Sequence, residues 1–194
     1  MTLPTKLTVL RILLTFVVFA LLLTPGWVAK LAALGGFAIA SLTDWLDGFL
    51  ARRWRQTSPL GTLLDPIADK VLVLGTFLAF VQLGLVPAWM VLVIFFRESL
   101  ITGVRLFAAS RHIVLAAAKE GKHKTVSQMV TLFVLLFALV IREFPGSESL
   151  PSQVHAASPT LILICLWVTV ILTVQSGTMF FWRHRTVLQE SIRQ

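Results

Sequence analysis

Four aspartates stand at fixed intervals in an otherwise apolar chain, and their spacing suggests phosphate chemistry. Asp44 and Asp47 lie three positions apart, and Asp65 and Asp69 lie four apart. Steps of three or four residues return to one helix face, so each pair is expected to share a face. Carboxylates this close repel one another unless cations bridge them, and ionised groups near a bilayer are costly. Because Mg²⁺ prefers oxygen ligands and leaves positions open for substrate phosphates, the pattern predicts a two-metal phosphate site.

A structural explanation of the same residues stays open at this point. The aspartates could cap helices or form ion pairs with neighbouring cations, namely Arg52, Arg53, Arg55 and Lys70. That explanation would suffice for a single aspartate. Four of them at this spacing, with Gly48 and Ala51 between the pairs, favour a metal site, because carboxylates are rare in membrane helices.

The composition predicts an all-α, polytopic membrane protein. Of the 194 residues, 57% are hydrophobic and only 13% are charged, which excludes an ordinary soluble domain. A spanning helix needs about 20 mostly apolar residues. Six transmembrane helices are predicted, near 7–23, 28–50, 66–86, 88–109, 125–143 and 159–182. Because they use most of the chain, a single membrane domain over residues 1–194 is expected.

Basic residues are grouped on alternate connections between these spans, which predicts the orientation. The groups are Lys6 and Arg11; Arg52, Arg53 and Arg55; Arg111, Lys119, Lys122 and Lys124; and Arg183, Arg185 and Arg193. Lys and Arg accumulate in cytoplasmic loops, so both termini and the aspartates are expected at the cytoplasmic face. The net charge of +8 would also suit nucleic acid, but charges that follow helix ends fit anionic headgroups or phosphorylated substrates better.

The helix that carries the first aspartate pair has small residues at four-residue steps. Ala32, Gly36 and Ala40 lead to Asp44 in this way. Small side chains allow membrane helices to approach closely, and here they would also leave room for a ligand.

The second aspartate pair is expected near a helix start. Asp65 precedes Pro66, and proline is tolerated in a first helical turn. Asp65 is therefore expected at a helix N-terminus, where the dipole favours its charge.

Further charges in and beside the later spans suggest a second anion site. Arg97, Glu98 and Arg105 lie within the predicted fourth span, and one glutamate cannot neutralise two arginines. A spare arginine suits bidentate recognition of phosphate, although an Arg–Glu pair can also be purely structural. Lys122 and Lys124 open the fifth span and are either part of this site or ordinary flanking residues.

The run from Asp44 to Asp69 is similar to the signature of the CDP-alcohol phosphotransferase family, D-x-x-D-G-x-x-A-R-(x)8-G-x-x-x-D-x-x-x-D, at every specified position. Three further stretches resemble the bacterial phosphatidylglycerophosphate synthases of that family. They are the opening from Leu3 to Arg11, the segment from Arg97 to Arg105, and the segment from Gly121 to Gln128. Many relatives have Asn where this chain has Thr5.

The resemblance implies a homodimeric six-helix enzyme of the cell (inner) membrane. It would transfer the phosphatidyl group from CDP-diacylglycerol to sn-glycerol 3-phosphate and release CMP. Two divalent metal ions, Mg²⁺ or Mn²⁺, would be held by Asp44, Asp47, Asp65 and Asp69. Asp69 would also accept the proton of the attacking hydroxyl. Gly48, Arg52, Ser58 and Gly61 would lie near the CDP moiety. Because the acceptor carries its own phosphate, a second cationic pocket is required, and its candidates are Arg97, Arg105, Lys122 and Lys124.

Two kinds of alternative remain on sequence grounds. Within the family the acceptor could be inositol phosphate, serine, choline or phosphatidylglycerol, and the cations favour a phosphorylated alcohol. Outside it, four aspartates could line the path of a cation transporter. Carboxylates of such a path would be spread through the membrane depth, whereas these cluster at one edge.

Overall fold

The computed structural model describes the backbone of residues 3–54, 59–111, 120–146 and 152–193. Side chains are described for 8–43, 67–68, 70–111, 123–146 and 159–185. Within these ranges the regular elements are all helices: α1 Leu3–Leu23, α2 Trp27–Trp54, α3 Pro59–Gln82, α4 Ala88–Ser110, α5 Glu120–Glu143 and α6 Ser152–Arg193. The all-α prediction is confirmed, and each predicted span has its helix.

The helices differ in how clearly they qualify as membrane spans. Among the described residues, His123–Glu143 and Pro159–Arg185 are long and apolar enough to cross a bilayer. Shorter apolar stretches occupy Thr8–Leu23, Trp27–Thr43 and Lys70–Gln82. The topology of six spans therefore stays a prediction.

One compact unit comprises Met1–Val86 and Leu132–Ser158, and α1 is its central helix. A Cβ atom added to Gly36 of α2 would lie 3.0 Å from Cγ2 of Val18 in α1. A Cβ added to Gly75 of α3 would lie 3.0 Å from Cγ2 of Thr15, also in α1. The two glycines therefore allow α2 and α3 to approach α1 closely, which confirms the packing role expected of Gly36.

The predicted stripe of small residues on α2 is only partly correct. Ala40 is fully buried, but Ala32 is exposed, and the neighbouring Ala33 is buried instead. The buried face of α2 continues through Phe37 at the four-residue step from Ala33. A helix has 3.6 residues per turn, so a strict four-residue stripe drifts off the packed face within two turns.

The turn between α1 and α2 is tied to the C-terminal end of α5 by a buried lysine. The ammonium of Lys30, 2% exposed, donates to the carbonyls of Leu22 and Thr24 and lies 3.5 Å from Oε1 of Glu143. The other carboxylate oxygen of Glu143 accepts the backbone N–H of Gly26 at 2.8 Å, where φ is +104°. These bonds satisfy carbonyls at the end of α1 that have no partner within the helix.

The second compact unit comprises Pro87–Thr131 and Pro159–Gln194, so it contains α4, the first half of α5 and most of α6. Trp89 of α4 meets Trp167 of α6 edge to face at 5.7 Å. The α5–α6 contact is polar: the hydroxyls of Thr131 and Thr169 lie 2.8 Å apart, and Thr169 donates to the carbonyl of Ser127.

The distribution of polarity indicates a membrane protein. Large apolar side chains point outward, among them Leu13 (58% exposed), Leu92 (64%) and Trp182 (72%). Buried positions include Thr131, Thr169 and other hydroxyl residues. In lipid, helix association relies on close packing and interhelical hydrogen bonds rather than on burial of apolar surface, and the observed pattern agrees with this.

Candidate active site

The helix bounds assign one aspartate pair to each of two neighbouring helices. α2 includes positions 44 and 47, and α3 includes positions 65 and 69. These two helices belong to the same compact unit and contact each other. The helical spacing inferred from the sequence is therefore present in the backbone of both elements.

The side chains of the aspartates lie outside the described residues, as do those of several other candidates. Asp44, Asp47, Asp65, Asp69, Gly48, Arg52, Ser58, Gly61 and Lys122 make up this group. Among the side chains that are described, no three carboxylate, imidazole or thiolate groups converge on a possible metal position. The metal and CDP assignments therefore stay predictions.

The position expected for Asp65 within its helix is wrong. α3 begins at Pro59, so position 65 falls beyond the first turn and the N-terminal dipole argument does not apply. Proline fits the first helical position because its missing N–H has no partner there in any case. Pro59 supplies that start, six residues before Asp65, and it was Pro66 that suggested the later one.

The charges of α4 form a compact cluster with one lysine of α5. Arg97 donates from Nη1 to Oε1 of Glu98 at 3.1 Å, and the ammonium of Lys124 donates to the same oxygen. The side chains of Arg97 and Glu98 are each 13% exposed and that of Lys124 is 10% exposed. Among the described side chains, the cluster thus places two cations around one carboxylate in a mostly buried position, with a formal charge of +1 for the three groups.

Arg97 is also fixed to α6. Its Nη2 donates to the hydroxyl of Ser176 at 2.9 Å. A Cβ added to Gly177 would lie 3.2 Å from Cγ of Arg97, so the absence of a side chain at that position leaves the space in which the arginine lies. Glu98 of α4 and Ser176 of α6 therefore set the direction of this guanidinium, and such preorganisation favours recognition of an oxyanion.

Arg105 does not take part in this cluster. It is exposed, and its Cζ lies 5.5 Å from the ring centroid of Phe180 in a cation–π arrangement. The Phe180 ring also stacks against His184, at a centroid distance of 4.7 Å. The sequence predicts that one glutamate cannot neutralise both arginines and leaves a spare, buried one. The structure pairs Glu98 with Arg97 and Lys124, and Arg105 is exposed rather than buried.

Sequence reasoning missed the polar seam that continues from the cluster. The seam consists of buried polar residues one turn apart on two helices: Lys124, Gln128 and Thr131 on α5, and Thr169, Thr173 and Ser176 on α6. Their spacing of three and four residues within apolar spans is the signal that could have revealed a shared face. Of the six, only Lys124 was assigned a role from the sequence.

Comparison with known proteins gives one family and several long matches. A family model described as CDP-alcohol phosphatidyltransferase matches residues 1–175. Proteins named CDP-diacylglycerol--glycerol-3-phosphate 3-phosphatidyltransferase are similar to this chain. One from Bacillus subtilis (strain 168) is 37% identical over 206 aligned positions, covering 97% of this chain and 98% of its own length. One from Pectobacterium atrosepticum is 41% identical over 140, covering 69% and 76%. A protein from Arabidopsis thaliana, whose name carries the number 2, is 38% identical over 168, covering 79% and 70%.

Proposed function

Because the chain belongs to the CDP-alcohol phosphatidyltransferase family, we propose that it transfers the phosphatidyl group of CDP-diacylglycerol to sn-glycerol 3-phosphate and releases CMP. The observation that carries this proposal is the near full-length similarity to a relative named for that reaction. The complete aspartate signature between positions 44 and 69 supports the same chemistry.

Asp44, Asp47, Asp65 and Asp69 hold divalent metal, Mg²⁺ or Mn²⁺, with two ions in the site. The donor set supports this assignment, since four carboxylates from two contacting helices supply the hard oxygen ligands that such ions prefer. When bound, the metal neutralises phosphate charge and stabilises the departing CMP. On α2, positions 44 and 47 follow Ala40 at four and seven residues, a spacing that returns to one side of a helix.

Asp69 takes the proton of the attacking hydroxyl. It is the last carboxylate of the run, and a carboxylate next to the acceptor can act as general base while the new bond forms.

Gly48, Arg52, Ser58 and Gly61 contact the CDP moiety; the two glycines would permit close approach of a ligand to the backbone.

The acceptor's phosphate is bound by cations, for which Arg97, Arg105, Lys122 and Lys124 are the candidates. The net positive cluster of Arg97, Glu98 and Lys124 supports this role most directly, because it is preformed and mostly buried. A neutral acceptor would need no such cluster. Arg105, which is exposed over Phe180, is a peripheral member of this set.

The enzyme is a homodimer of the cell (inner) membrane, one membrane domain with six spans and cytoplasmic termini. The paired state of Lys30 supports the orientation: this lysine lies on the connection expected outside, and it is occupied by Glu143 and two carbonyls. Its charge is therefore compensated, which agrees with the positive-inside rule, because connections on the outer side are expected to carry few free basic residues.

The proposal is tested by CMP release from purified protein in detergent micelles with CDP-diacylglycerol and Mg²⁺. Glycerol 3-phosphate, inositol phosphate, serine or no acceptor is supplied in parallel. Release that depends on glycerol 3-phosphate is the expected result. Release with another acceptor would overturn the acceptor assignment but keep the family chemistry, and no release from folded, Mg²⁺-binding protein would contradict the proposed reaction.

A further inference from the structure

Three buried polar atoms of the second unit have no hydrogen-bond partner among the described residues. They are Nε of Arg97, Nε2 of Gln128 and Oγ1 of Thr173. Gln128 is 3% exposed and Thr173 is fully buried. A buried polar group left without a partner costs about 1–3 kcal/mol, so several of them on adjoining faces indicate that something else binds there.

The helix register places Gln128 and Thr173 at one level, next to the cluster that contains Arg97. α5 and α6 run antiparallel, because Thr131 bonds to the carbonyl of Cys165 while Thr169 bonds to that of Ser127. On α5, Gln128 lies between Lys124, which meets Glu98, and Thr131. On α6, Thr173 lies between Thr169 and Ser176.

The α6 residues connect this level to α4. Ser176 accepts a bond from Arg97 and donates to the carbonyl of Thr173 at 3.1 Å. Gln128 and Thr173 therefore lie one helical turn from the cluster of Arg97, Glu98 and Lys124, on the side of Thr131 and Thr169. They lie on the faces that α5 and α6 turn toward each other.

The donor chemistry of the three groups fits an oxyanion. The guanidinium Nε of Arg97 and the amide Nε2 of Gln128 are donors, and the hydroxyl of Thr173 can donate as well. Arg97 and Lys124 bring two positive charges to the adjoining cluster, and Glu98 brings one negative charge. Several donors beside a net positive charge match a tetrahedral phosphate better than a neutral hydroxyl group.

We propose that Gln128 and Thr173 supply uncharged hydrogen-bond donors to the phosphate site in which Arg97 and Lys124 supply the positive charges. We further propose that these two donors determine specificity for a phosphate monoester acceptor. This inference rests on the proposed function. It assigns a role in acceptor binding to two uncharged residues, to which the sequence analysis gave no role.

The first test compares KM values in the CMP-release assay for Thr173→Val and Gln128→Met, which keep side-chain size but remove the donors. Loss of one hydrogen bond to a charged ligand is expected to raise KM for glycerol 3-phosphate about tenfold, with KM for CDP-diacylglycerol changed less than about twofold. Thr173→Ser restores a hydroxyl and is expected to restore KM. Thr178→Val is the matched control, since Thr178 is exposed on α6 and its hydroxyl donates to the carbonyl of Gln175 in the same helix.

A second measurement separates this inference from the proposed function. Inorganic phosphate is titrated into each purified protein in micelles, and the thermal midpoint is followed without any substrate. Phosphate is expected to raise the midpoint of the unaltered protein and of Thr178→Val, and to raise it much less in Thr173→Val. An unchanged response in Thr173→Val, or an unchanged KM in an enzyme that does use glycerol 3-phosphate, would overturn the assignment of Gln128 and Thr173 as phosphate donors. Neither result would contradict the proposed reaction. A chain that responds to phosphate but uses no phosphorylated acceptor would refute the proposed acceptor and the specificity role together.

Discussion

Replacing Glu98 by glutamine should destabilise the second unit, because it removes the carboxylate that two mostly buried cations share. Oε1 of Glu98 accepts bonds from both Arg97 and Lys124, whose side chains are 13% and 10% exposed. Removing one partner of a buried ion pair costs about 3–5 kcal/mol, because the remaining charge stays desolvated. The residual exposure places the expected loss near the lower limit, at about 3 kcal/mol.

The assay is thermal unfolding in detergent micelles of fixed composition. A loss of about 3 kcal/mol lowers Tm by about 6–12 °C for a chain of this length. Lys124→Met should cost less, since Arg97 keeps its bonds to Glu98 and Ser176. In the double variant Glu98→Gln with Lys124→Met, one of the two cations that lose their shared carboxylate is also removed. Part of the decrease in Tm should therefore be recovered.

The double-mutant cycle decides between a cluster and a chance proximity. Residues of one ion-pair network are expected to show coupling of about 0.5–3 kcal/mol. If Glu98→Gln left Tm within about 1 °C of the unaltered protein, or if the two substitutions were strictly additive, the reasoning from buried charge would be refuted.

Three further outcomes are expected. Asp69→Asn should retain Mg²⁺ and nucleotide binding, measured calorimetrically, but lose turnover; near-normal CMP release would remove Asp69 as the base. Gly177→Ala should raise KM for glycerol 3-phosphate several-fold, because the new methyl group would lie 3.2 Å from Cγ of Arg97; an unchanged KM would show that Arg97 can move freely. Lys30→Met should lower Tm by about 4–8 °C, since about 2 kcal/mol is expected for the buried ammonium and its partners. Equal stability of that variant would mean that Glu143 finds other donors.

The sequence was sufficient for the helices and for the close approach at Gly36, because both depend on local patterns. Apolar runs long enough to span a bilayer predict helices directly, and a glycine within such a run signals packing. The pairing of Lys124 with Glu98 could not be deduced, since it joins residues 26 positions apart through the packing of two helices. The start of α3 was misplaced because two prolines, Pro59 and Pro66, were each compatible with a first turn.

The cluster around Glu98 also bears on which acceptor the site would favour. Two cations without a carboxylate would be costly in a buried place, whereas full neutralisation would leave nothing to attract an anion. With one carboxylate between Arg97 and Lys124, these three described side chains are held in place and carry a formal charge of +1 together. At an effective dielectric constant of about 20, one unit charge attracts another at 4 Å by about 4 kcal/mol. A phosphate dianion gains this attraction and a neutral headgroup does not, so the observed charge arrangement itself favours glycerol 3-phosphate over an uncharged alcohol.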